Sequence, residues 1–95
     1  MSKRFAILIH PEALEDLRRL DTREARKVLD AIGERLAVEP ALYGKPLGGS
    51  LAGLRRVRVG DLRVVYRILD DKVELLIVQN RKVVYEALAR RWGTA

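Results

Sequence analysis

Arg56 and Arg58 stand two apart in the run Arg55-Arg56-Val57-Arg58-Val59. In a strand that spacing points both side chains the same way, about 6–7 Å apart. Arg63 follows the two-residue turn Gly60-Asp61, which puts it on the neighbouring strand within reach of the pair. Arg81 falls at the end of the next strand if the sheet runs in sequence order, so four guanidiniums can converge on one side of a sheet. Guanidinium forks match phosphate oxygens and keep their charge at any physiological pH. Such a row reads equally as the solubilising face of an open sheet or as a phosphate-binding face. Tyr85 lies one helical turn beyond Arg81. Its ring could stack on an unpaired base, whereas its spacing with Leu88 and Trp92 suits a packed helix stripe. Tyr66 alternates with Leu62, Val64 and Ile68 and belongs to the core, and His10, just before a proline, reads as a cap or an exposed side chain.

Other chemistries find little support. There is no Cys, which excludes disulfides, a thiolate nucleophile and Cys-ligated metal, and one His cannot build a multi-histidine metal site. We therefore expect no metal and no cofactor. No glycine-rich phosphate loop is present, and Ser2 and Ser50, the only serines, sit in no nucleophile elbow. No apolar run approaches the roughly 18 residues of a membrane span, and the start lacks an export signal, so a reducing, cytoplasmic setting is expected. The charge is uneven: residues 1–51 carry a net +1 and residues 52–95 a net +5. A solvated basic surface or a polyanionic partner would account for that excess.

The 95 residues, 48% hydrophobic and 34% charged, suffice for a single domain with one modest core. Phe5–Ile9 reads as a strand buried on both faces, stopped by His10-Pro11. Pro11 suits the first turn of a helix running to about residue 20. Asp21-Thr22-Arg23-Glu24 has capping-box spacing. A second helix follows to about 38, with Ala25, Val28, Leu29, Ile32 and Leu36 as its stripe and Gly33 as an interruption. Residues 41–53, rich in Gly and Pro, read as a mobile loop. Three short strands joined at Gly60-Asp61 and Asp70-Asp71 then form an antiparallel meander, and a helix covers about 82–92. The order β-α-α-β-β-β-α gives an α+β domain whose helical hairpin covers one sheet face and leaves the other partly open.

On these residues the chain resembles the RelE/ParE toxin superfamily. Gly53-Leu54-Arg55-Arg56-Val57-Arg58-Val59-Gly60-Asp61-Leu62-Arg63-Val64-Val65-Tyr66 is similar to that family's basic strand, Gly-Asp-aromatic-Arg turn and β-branched run into Tyr. Asn80-Arg81-Lys82-Val83-Val84-Tyr85 is similar to its His-Arg-Arg-x-x-Tyr ending, and the opening strand, Pro11 and helical hairpin fit as well. RelE-like members are ribosome-dependent mRNA endonucleases restrained by a cognate antitoxin, whereas ParE-like members target DNA gyrase and lack the nuclease residues. Carried over by position, the resemblance makes Arg63, Arg81 and Tyr85 catalytic and Arg55, Arg56 and Arg58 RNA-binding, and tilts the reading to the RelE branch. Three positions depart from the pattern. Arg stands at both strand positions where some members have Lys, Leu62 replaces the aromatic, and Asn80 replaces a His that could act as acid or base.

The expected activity is therefore metal-independent mRNA cleavage by attack of a 2′-hydroxyl on the scissile phosphate. Arg63 and Arg81 would stabilise the developing charge, Arg56 and Arg58 would hold flanking phosphates, and Tyr85 would orient or stack a base. The alternatives are a gyrase-binding inhibitor and an antitoxin-binding module that has lost its toxicity. The expected partners are an antitoxin, the ribosome and mRNA, with no membrane and no small-molecule cofactor. The antitoxin is expected to cover Arg56, Arg58, Arg63 and Arg81 or to displace the final helix.

Overall fold

The computed structural model describes residues 4–92; residues 1–3, Ser2 among them, and 93–95 lie outside the described residues. His10 begins the first helix, α1 (Pro11–Arg18), as its N-cap: its Nδ1 accepts from the Glu12 amide at 3.1 Å, and Pro11 takes the position where no amide is needed. Asp21 caps α2 (Thr22–Ala31) in turn, its Oδ1 accepting from the Glu24 amide at 2.8 Å. At Ile32 the helix widens into a π turn (Ile32–Leu36), closed by the Ala37 amide donating to the Ile32 carbonyl at 2.8 Å. Gly33, expected to weaken the helix, lies within this widened turn. Leu29 does not join the stripe. It is exposed, and Val28, Ala31, Ile32 and Leu36 form the buried face.

The strands are β1 (Ala6–Ile9), β2 (Lys45–Pro46), β3 (Arg55–Val59), β4 (Leu62–Leu69) and β5 (Lys72–Asn80), in the spatial order β1-β5-β4-β3-β2. β1 runs parallel to β5, Ala6 opposite Lys72, and the remaining pairs are antiparallel. The meander and its two tight turns are as the alternation predicts. Gly60 adopts φ 61° and Asp70 φ 55°, the left-handed backbone that such turns need. Two expectations need correction. β1 is not buried on both faces: it is the sheet's edge, with Leu8 and Ile9 exposed and only Phe5 and Ile7 of that run packed on the core. Residues 41–53 are not a bare loop either. They hold a short helix α3 (Pro40–Tyr43), β2 and a 3-10 turn (Gly49–Leu51), and Leu47 and Leu51 pack inward.

The sheet has a core on each side. The hairpin α1–α2 lays Ala13, Val28, Ile32 and Leu36 on Val57, Val64, Tyr66, Val73, Leu75 and Val78. Helix α4 (Val84–Arg91) packs Val84, Ala87 and Leu88 on the other face against Leu54, Val65, Leu76 and Ile77. The ladder between β4 and β5 slips by one residue, so that Val65 opposes Ile77 and Tyr66 opposes Leu75. The extra residue, Leu76, joins Ile77 beneath α4. The face expected to be open is therefore half covered, and the uncovered half carries the arginines.

Candidate functional site

Alternation along β3 sorts its basic residues. Arg56 and Arg58 share a face with Arg63 of β4, and Arg58 and Arg63 are direct cross-strand partners. Arg55, expected with the RNA-binding set, points the other way. Its Nη2 donates to the carbonyls of Ala41 (2.7 Å) and Gly44 (2.9 Å), so it holds α3 and its exit onto the sheet. Beside it the buried Tyr66 hydroxyl donates to the Pro40 carbonyl at 2.5 Å, and burial pushes that phenol's pKa up. A Cβ on Gly44 would overlap the Tyr66 ring, which leaves room for no side chain there. Arg55 is thus a structural residue of the hairpin-side face.

The uncovered half of the other face gathers four groups. Arg63 is buried, 8% exposed, and its Nη1 donates to the carbonyls of Gly60 in the turn (3.1 Å) and of Leu62 at the start of β4 (2.9 Å). No carboxylate among the described residues pairs with it. Desolvating a guanidinium without a counter-ion is costly, and an anionic ligand would relieve that cost. Arg58 stands opposite, exposed, and Arg56 is half-buried two residues along. Tyr85 lies on the first turn of α4, and its hydroxyl accepts a hydrogen bond from Arg56 Nη1. The expected stripe of Tyr85, Leu88 and Trp92 is corrected accordingly. Tyr85 is 44% exposed, whereas Leu88 and Trp92 do pack on the core, joined by Val84 and Ala87. Accepting from Arg56 leaves the phenol's own O–H free to donate to a ligand.

Arg81 sits at the same end of the sheet. Its amide donates to the Asp61 carbonyl at 2.8 Å, and its Nε lies 3.8 Å from Asp61 Oδ1, with both side chains exposed. The Asp61 pairing escapes a reading that takes Gly60-Asp61 only as a turn. Asn80, in the place of the family's His, turns its Oδ1 to accept from the Lys82 amide at 2.9 Å and so shapes the exit from β5.

One buried pair ties α1 to α4 across the end of β5. Asp16 of α1, 3% exposed, accepts from Arg91 Nη1 (2.8 Å) and Nη2 (2.9 Å), from the Val78 amide (3.0 Å) and from Gln79 Nε2 (2.9 Å). β1 pairs with β5 only through Leu75, so the carboxylate satisfies a strand amide beyond the end of β1. Burial alone would raise the Asp16 pKa, but the Arg91 guanidinium and the two amides outweigh it and hold the carboxyl below its usual range. Arg91, further paired with Glu12 at 3.5 Å, is pushed up by Asp16. Carboxylates spread along the sequence as solvated helix residues gave no sign of this latch, because its partners lie 62 to 75 positions away. No group of three or more His, Cys, Asp or Glu that could hold a metal occurs among the described residues.

Comparison with known proteins agrees with this architecture. A family model described as the ParE toxin of the type II toxin-antitoxin system parDE matches residues 7–85. Toxin RelE of Mycobacterium tuberculosis is 35% identical over 83 residues, covering 85% of this chain and 86% of its own length. Toxin RelG of the same organism is 36% identical over 75 residues, covering 77% and 86%. Among solved structures, the toxin-antitoxin complex RelBE2 from M. tuberculosis matches with a TM-score of 0.77 and 34% identity, over 82% of this chain and 99% of that one. The archaeal RelE-RelB complex from Pyrococcus horikoshii gives 0.65 and 26%, over 82% and 96%.

Proposed function

Because the chain belongs to the RelE/ParE superfamily of type II toxin-antitoxin toxins, we propose that it is a ribosome-dependent, metal-independent mRNA endonuclease. The observation that carries this reading is Arg63, a buried guanidinium without an acidic partner, facing Arg58 beside the Arg56–Tyr85 contact. In the reaction the 2′-oxygen forms a bond to the adjacent phosphorus, and the bond to the 5′-oxygen of the next nucleotide breaks. The products are a 2′,3′-cyclic phosphate and a 5′-hydroxyl. The 2′-hydroxyl proton passes to solvent, and the leaving oxygen takes one up. Negative charge grows on the non-bridging oxygens, where Arg63, already fixed by two backbone carbonyls, stabilises it without reorganising. Arg81 stands nearest the leaving oxygen, releasing Asp61 to do so. Arg56 and Arg58 hold flanking phosphates, and Tyr85 orients the strand through its free O–H and exposed ring. Arginine is no base at neutral pH, so much of the rate comes from the ribosome holding the mRNA in line.

Cleavage of mRNA on programmed ribosomes tests this. The double variant Arg63→Ala/Arg81→Ala should lose about 10⁴–10⁶-fold in rate, at about 10²–10³ per charge-stabilising donor. Equal cleavage by the variant and the wild type would overturn the assignment. The family model's ParE description keeps one rival reading in view, inhibition of DNA gyrase. Supercoiling inhibition by the purified protein, with ribosomal mRNA left intact, would select it.

The partner follows from the same comparison, since the relatives in both solved complexes are bound to antitoxins. The antitoxin of this chain presents an acidic segment that orders over Arg56, Arg58, Arg63 and Arg81 or dislodges α4 and Tyr85 with it. Hydrogen exchange on free and bound protein reads this out. Unchanged protection over both 54–67 and 81–92 would place the binding surface elsewhere.

A further inference from the structure

β2 is only two residues long. Lys45 pairs with Arg56 and Pro46 with Arg55, so β3 has no strand on its outer side from Val57 onward. A cleft of about 220 Å³ opens in that gap, lined by Arg35, Tyr43, Lys45, Arg56, Val57 and Arg58. Four of these six are cations and none is acidic. Arg35 reaches in from the π turn, its Nη1 donating to the Arg58 carbonyl at 3.5 Å. Tyr43, at the end of α3, is 48% exposed, yet its backbone is held firmly. Tyr66 and Arg55 bind the carbonyls of Pro40, Ala41 and Gly44 around it. A cationic groove with a positioned aromatic ring is the chemistry by which single-stranded nucleic acid is held irrespective of sequence.

We propose that this cleft is a second RNA subsite, in which Arg35, Lys45 and Arg58 take backbone phosphates of a single-stranded segment and Tyr43 stacks on one base. The proposal rests on the RNA-cleavage reading and deepens it. Arg56 contacts Tyr85 on one side and lines the cleft on the other, so a strand whose scissile phosphate lies at Arg63 crosses β3 and leaves over its edge. The ring favours RNA over an acidic protein segment, which charge alone would satisfy.

The test measures anisotropy of a labelled single-stranded oligouridine against salt, for the wild type and for Arg35→Ala, Lys45→Ala, Tyr43→Ala and Tyr43→Phe. Each lost cation should shallow the logarithmic salt slope by about 0.7. Tyr43→Ala should weaken binding about tenfold, and Tyr43→Phe should bind as the wild type does. On programmed ribosomes the same alanine variants should need about tenfold more toxin for half-maximal cleavage while the rate at saturation stays unchanged. Unaltered RNA binding by all three alanine variants, or no binding by the wild type at low salt, would overturn the proposal. It would equally fail if the variants kept RNA but lost affinity for an acidic antitoxin segment. A wild type that binds RNA through the cleft yet cleaves no mRNA would instead refute the cleavage reading and leave the subsite standing.

Discussion

Arg63 and Arg67 share one strand and one face, yet live in opposite circumstances. Between them Val65 lies under α4, so each borders one flank of that helix. Arg67 is fully engaged: its Nε donates to Glu74 at 2.7 Å, and its guanidinium sits 4.8 Å from the Trp92 ring centroid. Arg63 is more deeply buried, and its hydrogen bonds among the described residues go to carbonyls. At the Arg67 flank the charge is neutralised within the chain, by a carboxylate and an aromatic face. At the Arg63 flank no carboxylate among the described residues offsets the cost of desolvation. Both are arginines on one face of β4, and their partners alone set the two environments apart.

The most forceful way to break this contrast is to loosen α4 itself. Asp16→Ala leaves Arg91 half-buried without its bidentate partner and orphans the Val78 amide, at a cost of about 3–5 kcal/mol. Denaturant unfolding should register that loss. It should also register its pH dependence. The Asp16 carboxyl lies below its usual range in the folded chain, so on acidification the unfolded chain takes up the proton first. The pair's contribution is complete above an ordinary carboxylate pKa of about 3.9 and fades below it, through the folded value. The stability gap between the wild type and Asp16→Asn should therefore stay constant from pH 7 to 5 and shrink toward pH 2.

Gly44→Ala probes the hairpin-side face. Its methyl group must displace Tyr66 or the α3 exit, for a loss of about 1–3 kcal/mol in the same measurement. Smaller and more discriminating is the pair Arg67→Met and Arg63→Met. The first removes an ion pair and a cation–π contact and should cost about 1 kcal/mol, with ribosomal cleavage intact. The second removes an uncompensated charge and should leave the melting temperature at or above that of the wild type while cleavage collapses. A large drop in melting temperature for Arg63→Met would mean that its carbonyl bonds matter more than its missing counter-ion.

Most of the fold is legible in the chain. Alternation at Arg56–Val59 and Leu62–Ile68, the turn pairs, the Asp21 cap and His10-Pro11 are local signals, and each acts where it is written. What the sequence hides is nonlocal. Phe5–Ile9 is apolar enough for a central strand, but nothing within it says that its outer side has no neighbour. The slip at Val65/Tyr66 shifts the facing of Leu76 and Ile77 by one step, which strict alternation cannot foresee. Of the site, Arg56, Arg58 and Arg63 are placed together by period and turn alone. The opposite facing of Arg55 also follows from alternation, since neighbours in a strand point to opposite sides. The exposure of Tyr85 depends on which face of α4 docks on the sheet, and that face is centred on Val84, Ala87 and Leu88. Asp16 and Arg91 meet only in three dimensions.

The parallel pairing of β1 with β5 has a consequence in time. Ala6 finds its strand partner at Lys72, and Asp16 finds its guanidinium at Arg91, so the earliest segments of the chain wait on some of the latest. A hairpin or a helix can form as soon as it is made, but a loop this long must close before its contacts reward it. While the chain is still being synthesised, β1 therefore has an unpaired edge and α1 a carboxylate without a counter-charge. Tyr85 in turn meets Arg56 only when α4 docks back on the sheet. Until then Ala6 and Asp16 lack the partners that tie the first elements of the fold to the last.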